Sequence, residues 1–255
     1  MSGLDVPASV WIDAPPPPDL GGRPGGAAHC LGPPSGRETD VPGYGVQVHQ
    51  AFLAEFAPDF TLGVHFHHVD QFQWFVRGSA QFAAHPVSPG VLRFADRHTP
   101  YGPLVVSDEN IAFMTLRAAS DSGAHFMPGA QRELGTELEA ADRSPRRNRT
   151  WDLIATELEP GHWVDVCAAS DGMRVSLVEL DEATPLPRIT MAGSGGYLAV
   201  VRGTIHADGR LVAAGGFVPL AADATSPDAV AGRGGSRVGL FQLPQSAAVN
   251  AVEGE

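Results

Sequence analysis

His65 and His67, one residue apart, followed by Gln71 and closed by Gly78, are the residues whose types and spacing could do chemistry. Along an extended strand alternate side chains share a face, so His65 and His67 present two imidazoles on one side. A pair of neutral imidazoles can chelate a divalent metal. Gln71, four residues after His67, offers an amide oxygen that would complete a facial set. A bare His-x-His is more often an exposed or hydrogen-bonded pair than a ligand pair. The added Gln71 and Gly78, set in a Gly- and Pro-rich strand pattern, raise the expectation for the fold more than for activity. His68 falls on the opposite face and reads as a surface or supporting residue. Asp70 is either a turn residue or the acceptor that fixes an imidazole tautomer.

The elements that must position these residues are short apolar runs between turns. Residues 46–56, 61–69, 71–82, 90–95 and 111–118 read as strands, with turns at Pro89-Gly90 and 107–110. Residues 130–141 are the one respectable helical run. Strands return at 163–167, 173–180, 196–201, 216–221 and 237–243. Many short strands at this spacing predict an all-β sandwich or barrel. Residues 1–42 carry Pro15-Pro16-Pro17-Pro18 and many glycines, and cannot hold a regular helix or a central strand. They read as an extended arm.

The second half repeats the first. Phe75-Val76-Arg77-Gly78-Ser79 matches Val200-Val201-Arg202-Gly203-Thr204 at an offset of 202 − 77 = 125. Gly90-Val91-Leu92 matches Gly216-Phe217-Val218 at 126, read as a one-residue insertion, and 113–116 matches 238–241 at 125. Three ordered matches at a nearly constant offset indicate a duplicated barrel. Adding 125 to His65, His67 and Gln71 gives Thr190, Ala192 and Gly196, so the second copy lacks the donors.

His-x-His-x3-Gln-x6-Gly resembles the first motif of the cupin superfamily, with Gln where that motif usually has Glu. With the repeat, the chain resembles a bicupin: two tandem jelly-roll β-barrels, the second degenerate. The expected division is an arm at 1–42, a barrel with the candidate metal site at 43–125, a connection at 126–155 and a degenerate barrel at 156–249. The resemblance implies a divalent metal (Fe, Mn, Ni or Zn) held by His65, His67 and Gln71. The family's fourth ligand, a histidine, falls eleven residues after the hairpin glycine; from Gly90 that residue is Tyr101, and another gapping gives Val105. Three states follow: a metal on His65, His67 and Gln71 alone, a metal with Tyr101 as ligand or acid/base group, or a metal-free pocket for a small molecule. His98, three residues before Tyr101, is the other candidate catalytic group. The activity implied is that of a small-molecule enzyme, an oxygenase first and an isomerase or lyase next, with a non-catalytic ligand-binding cupin as the alternative. Pairing of edge strands makes a homodimer a further expectation.

Composition narrows the rest. The chain has 255 residues and a net charge of 17 − 29 = −12, which argues against a nucleic-acid partner. All 17 basic residues are arginine, so lysine-linked pyridoxal chemistry and a Walker-type phosphate loop are excluded. The four arginines at 143–149 read as a solvated linker. Ala192-Gly193-Ser194-Gly195-Gly196 is an incomplete dinucleotide fingerprint with no helix after it, so neither NAD nor another nucleotide is expected. Cys30 and Cys167 stand far apart and read as idle thiols. No run of about 18 apolar residues exists to span a bilayer, and a cytoplasmic location is the default expectation.

Overall fold

The computed structural model describes residues 10–32, 49–140 and 146–245. The expected arm at 1–9 and 33–42, strand residues 46–48, the helix end at 141, Arg143 and residues 246–249 lie outside the described residues. Among the described residues no helix is long and apolar enough to cross a membrane.

The first half forms strands β1 (Gly25–Leu31), β2 (Gln50–Phe56), β3 (Thr61–Leu62), β4 (His65–Phe66), β5 (Gln71–Arg77), β6 (Ala80–Phe82), β7 (His85–Val87), β8 (Val91–Ala95), β9 (Leu104–Val106), β10 (Ile111–Arg117) and β11 (His125–Phe126). Helix α1 (Gln131–Ala140) and β12 (Asn148–Asp152) follow. One sheet has the order β1-β2-β10-β5-β8-β12; facing it are β3-β9-β6-β7 and the small pair β11-β4. The second half is built from β13 (Val164–Ala168), β14 (Arg174–Leu180), β15 (Gly196–Ala207), β16 (Arg210–Ala213), β17 (Phe217–Leu220) and β18 (Ala229–Gln242). Its sheet has the order β13-β14-β18-β15-β16, with β17 on β15. The described residues are all-β apart from α1, as two tandem jelly-roll barrels require.

Alternation along the strands sorts the cores. On β5, Phe72 and Trp74 face outward and meet Phe241 of the second barrel at ring distances of 5.8 and 6.0 Å. Leu92, Met114 and Leu116 join Leu177, Tyr197 and Phe217 in the same apolar layer between the barrels. Gln71, Gln73 and Phe75 point the other way, into the first barrel. The second barrel is filled by aliphatic side chains, including Val178, Leu198, Val200 and Leu240.

The structure makes the duplication more regular than the sequence matches suggested. Gly90 has φ 93° and Gly215 has φ 92°. Gly90 N donates to Phe75 O and Gly215 N to Val200 O, both at 2.9 Å. The hairpin glycine of the second copy is therefore Gly215, the offset there is 125, and the expected insertion is absent. The adjacent Gly216 attracted the match because a glycine pair cannot be registered by composition. Gly78 and Gly203 are equivalent in the same way, with φ 72° and 77°. A Cβ on Gly78 would lie 2.1 Å from Asn110 O, and one on Gly203 2.3 Å from Gly235 O, so neither site admits a side chain.

The arm at 10–32 ties the two barrels. Trp11 is buried in the core of the second barrel, and Ile12 bridges Phe217. β1 then adds an edge strand to the first sheet beside β2, a position a Gly-rich segment tolerates. The arginine run is not all solvated. Arg147 is buried, donating to Asp96 Oδ2 and Oδ1 at 2.9 Å each and to both carboxylate oxygens of Asp171. It joins the first barrel to the second because two carboxylates converge on one planar fork.

Candidate functional site

The expected strand at 61–69 is broken. β3 and β4 are two-residue strands in different sheets, and His67 and His68 lie beyond β4. One side chain and one loop backbone group replace the ladder there: Asp121 Oδ1 accepts from His68 N at 3.1 Å, and the backbone N–H of His98 donates to His67 O at 2.8 Å. The two imidazoles still share a side. His65 and His67 pack edge to face with ring centroids 5.2 Å apart.

Tyr101 lies with them. His65 and Tyr101 exchange backbone hydrogen bonds, and the phenol ring is 4.6 Å from the His65 ring and 6.1 Å from that of His67. Val105, the other candidate position, is exposed on β9. Gln71 joins the cluster from the inner face of β5. Its Nε2 donates to the Tyr101 hydroxyl, and its Oε1 accepts from Arg117 Nε at 2.8 Å. The structure thus brings His65, His67, Gln71 and Tyr101 together. His98, also expected beside Tyr101, instead meets His68 on the other side of the segment, with Nε2 3.0 Å from His68 Nδ1.

Two residues that sequence reasoning passed over organise the cluster. Arg117, 1 % exposed at the end of β10, donates NH1 to Gln50 Oε1 at 3.0 Å and lies 3.2 Å from Asp121 Oδ2. Asp121 Oδ2 accepts from His67 Nδ1 at 2.6 Å. The signal for Arg117 was a single charge on the inner face of an apolar strand, in line with Phe113 and Thr115. Asp121 gave no comparable signal. A second buried arginine, Arg93, stacks over the Phe82 ring at 3.3 Å and donates to Gln73 Oε1 at 3.4 Å.

The hydrogen bonds set the tautomers. A carboxylate only accepts, so His67 Nδ1 carries the proton; so does His65 Nδ1, 2.8 Å from Gly63 O. Burial holds both imidazoles neutral. His65 is lowered to about 4 by burial first and then by its His67 neighbour. His67 is lowered by burial and by the Arg117 charge. Burial works against the Asp121 carboxylate, but Arg117 and His67 outweigh it and hold it below the usual range. Burial pushes the Tyr101 phenol well above its ordinary value despite Arg117 and Arg93 nearby, so it keeps its proton.

This protonation pattern predicts acid sensitivity. His98 is also lowered to about 4, by burial and then by His68. Unfolded imidazoles titrate near pH 6.5, so between pH 6.5 and about 4 the unfolded chain binds more protons than the folded one. Stability is complete above that window and falls on acidification, by about 1.4 kcal/mol per pH unit for each histidine. Asp121, with its depressed pKa, adds a loss below about pH 4. Urea midpoints of EDTA-treated protein should drop from pH 7 to pH 5; a flat profile would refute neutral burial of these rings.

The donor set fits a metal in part. Both histidines have Nδ1 anchored and Nε2 bare, the arrangement metal-binding imidazoles use. Neither Nε2 is among the sealed polar atoms that lack a partner. Gln71 offers less than expected, because its amide oxygen is already held by Arg117. Among the described residues the second barrel shows no equivalent cluster: Gly196 pairs with Gln242 where Gln71 and Arg117 stand in the first.

No protein-family model and no curated protein sequence matches the chain. Its fold does match solved structures. The bacterial pirin YhhW from Escherichia coli, in complex with nickel(II), is 12 % identical over 93 % of this chain and 99 % of its own, with a TM-score of 0.55. A cupin 2 conserved barrel domain protein from Leptotrichia buccalis is 12 % identical over 95 % of this chain and 100 % of its own, with a TM-score of 0.51. Salicylate 1,2-dioxygenase from Pseudoaminobacter salicylatoxidans, with gentisate, is 13 % identical over 76 % of this chain and 67 % of its own, with a TM-score of 0.50.

Proposed function

We propose that this chain, whose two barrels have the cupin fold, is a small-molecule enzyme of the metal-dependent kind, an oxygenase, with its site in the first barrel at His65, His67 and Tyr101. His65 Nε2 and His67 Nε2 would hold a divalent metal. A redox-active metal there would supply dioxygen activation or Lewis acidity. The nickel-bound pirin and the dioxygenase that share the fold support this reading only by analogy.

The observation that carries it is the directed chain Arg117, Gln71, Tyr101. Arg117 can only donate, so the Gln71 oxygen must face it and the Gln71 amino group must face Tyr101. The Tyr101 oxygen is therefore an acceptor toward Gln71, and its own proton is left to give to a substrate or water. Asp121 meanwhile orients His67 through Nδ1. The protein supplies a neutral proton donor beside two neutral imidazoles, all three buried. Localisation in the cytoplasm and a homodimer belong to this proposal as well.

Elemental analysis of chain loaded with Fe²⁺ or Ni²⁺, followed by oxygen-uptake screening of small aromatic and carboxylic acids, tests it. Metal bound at the histidine pair with uptake on one acid is the expected result. On that substrate Tyr101→Phe should lower turnover by about 10²–10⁴, the usual share of a positioned acid, with metal content unchanged. Loss of metal in the variant would make Tyr101 a ligand instead.

A second reading has its own observation. The Arg117 guanidinium already sits beside His67 as a fixed cation, 3.2 Å from His67 Nδ1. A cation there opposes a metal and suits a metal-free pocket for a small ligand. Protein that binds no metal at the histidine pair after loading would favour it.

A further inference from the structure

A second group of metal-ligating side chains lies on the far side of the 65–68 segment, outside the His65–His67 pair. His68, His98 and Glu137 bring three donor atoms within 4.8 Å of one another; His68, His125 and Glu133 form an adjoining group. The hydrogen bonds assign their roles. Glu133 Oε1 lies 3.1 Å from His68 Nε2 and, as a carboxylate, accepts, so Nε2 carries the proton and Nδ1 is a lone pair. That lone pair is 3.0 Å from His98 Nε2, and Glu137 Oε2 is 3.7 Å from the same nitrogen. Neighbouring donors on a tetrahedral ion with bonds of 2.0–2.1 Å stand about 3.3 Å apart. The other Glu133 oxygen takes His125 Nδ1 at 3.0 Å. A carboxylate behind a histidine is the common support of a metal site.

Three further features bear on this group. Glu133 and Glu137 stand one turn apart on α1 and meet the same histidine group, Glu133 at His68 and His125 and Glu137 at His98. His98 has φ 56°, a left-handed backbone at a non-glycine residue, the kind of local strain that functional sites hold. α1 has ten residues, of which only Leu134 is buried among those whose side chains are described, so it is weakly anchored by apolar contact.

We propose that His68 Nδ1, His98 Nε2 and Glu137 Oε2 bind a zinc-class divalent ion, separate from the His65–His67 pair, that fastens α1 to the wall of the first barrel. The site draws one ligand from the turn after β4, one from the loop between β8 and β9 and one from α1. Imidazole and carboxylate donors select zinc, cobalt or nickel over calcium and magnesium. Three protein ligands leave a position for water. Asp121 links the two sites, because one oxygen accepts from His67 Nδ1 and the other from His68 N.

The test uses the full chain, stripped with EDTA and titrated with Co²⁺ by its visible absorption and with Zn²⁺ by equilibrium dialysis. His65→Ala/His67→Ala should retain one equivalent. Glu137→Gln and His98→Gln, each in that background, should weaken the retained equivalent at least about tenfold. Glu137 is partly exposed, so Glu137→Gln carries the test even if His98→Gln fails to fold. With Zn²⁺ at a hundred times its Kd, amide exchange in α1 should slow by up to about a hundredfold, and Glu137→Gln should abolish the slowing. No metal in the His65→Ala/His67→Ala chain, unchanged affinity in Glu137→Gln, or no slowing in α1 would each overturn the proposal. A wild-type chain that binds one ion and keeps it in His65→Ala/His67→Ala supports this site and removes the metal from the other.

Discussion

His65→Ala/His67→Ala should lower the metal bound by loaded protein by one equivalent per chain while the chain still folds. The two imidazoles are the bare nitrogen donors of the first barrel's polar cluster, and Nδ1 of each is tied to an oxygen. No other side chain there can replace them, since Gln71 is held by Arg117 and Tyr101 keeps its proton. The cost to folding is small because Asp121 retains partners when His67 is lost. It still faces Arg117 at 3.2 Å and still accepts from His68 N and Gly123 N. Elemental analysis of wild type and variant after the same loading measures the loss, and urea unfolding checks the fold. An unchanged metal content would show that the ligands lie elsewhere.

Arg117→Met should be the most destabilising of the single substitutions in the cluster, by about 3–5 kcal/mol, the range for breaking one side of a buried ion pair. Methionine fills most of the volume, so the loss is electrostatic rather than a cavity. Three acceptors lose their donor at once: Gln71 Oε1, Gln50 Oε1 and Asp121 Oδ2. Asp121 is buried, and without Arg117 its charge is answered only by hydrogen bonds. Its pKa should rise, moving acid unfolding toward neutral pH. Arg117→Met/Asp121→Asn should recover part of the loss, because it removes the stranded charge. The urea midpoint at pH 7 decides the matter. A shift worth less than about 1 kcal/mol would mean that water reaches Asp121 and screens it.

The sequence by itself determined the architecture and which residues to consider for half of the candidate site. The short apolar runs between turns already read as strands, and a duplicated barrel was legible in three ordered matches at an offset of 125–126. Gly78 and Gly203 recur at 125 because each packs against a carbonyl oxygen in the same turn. The local spacing of His65, His67 and Gln71 placed them on one side, and counting from Gly90 placed Tyr101 with them. These are short-range properties of strands and turns, and the chain writes them locally. The pairing of Gly90 with Gly215 needed the hydrogen bonds, since Gly215 and Gly216 are indistinguishable as letters.

Tertiary structure alone decided what each polar group does. Arg117 meets Gln71 across 46 residues and Asp121 meets His67 across 54, and no periodicity reports such a contact. Gln71 changed from a free oxygen donor to a relay because a guanidinium cannot accept. His98 left Tyr101 for His68 because the chain departs from the strand after Phe66 and a left-handed residue turns the loop. Arg147 moved from a solvated run into a buried clamp when Asp96 and Asp171 closed on it. Charge placement follows desolvation, and desolvation is a property of the packed molecule, set by neighbours far away in sequence.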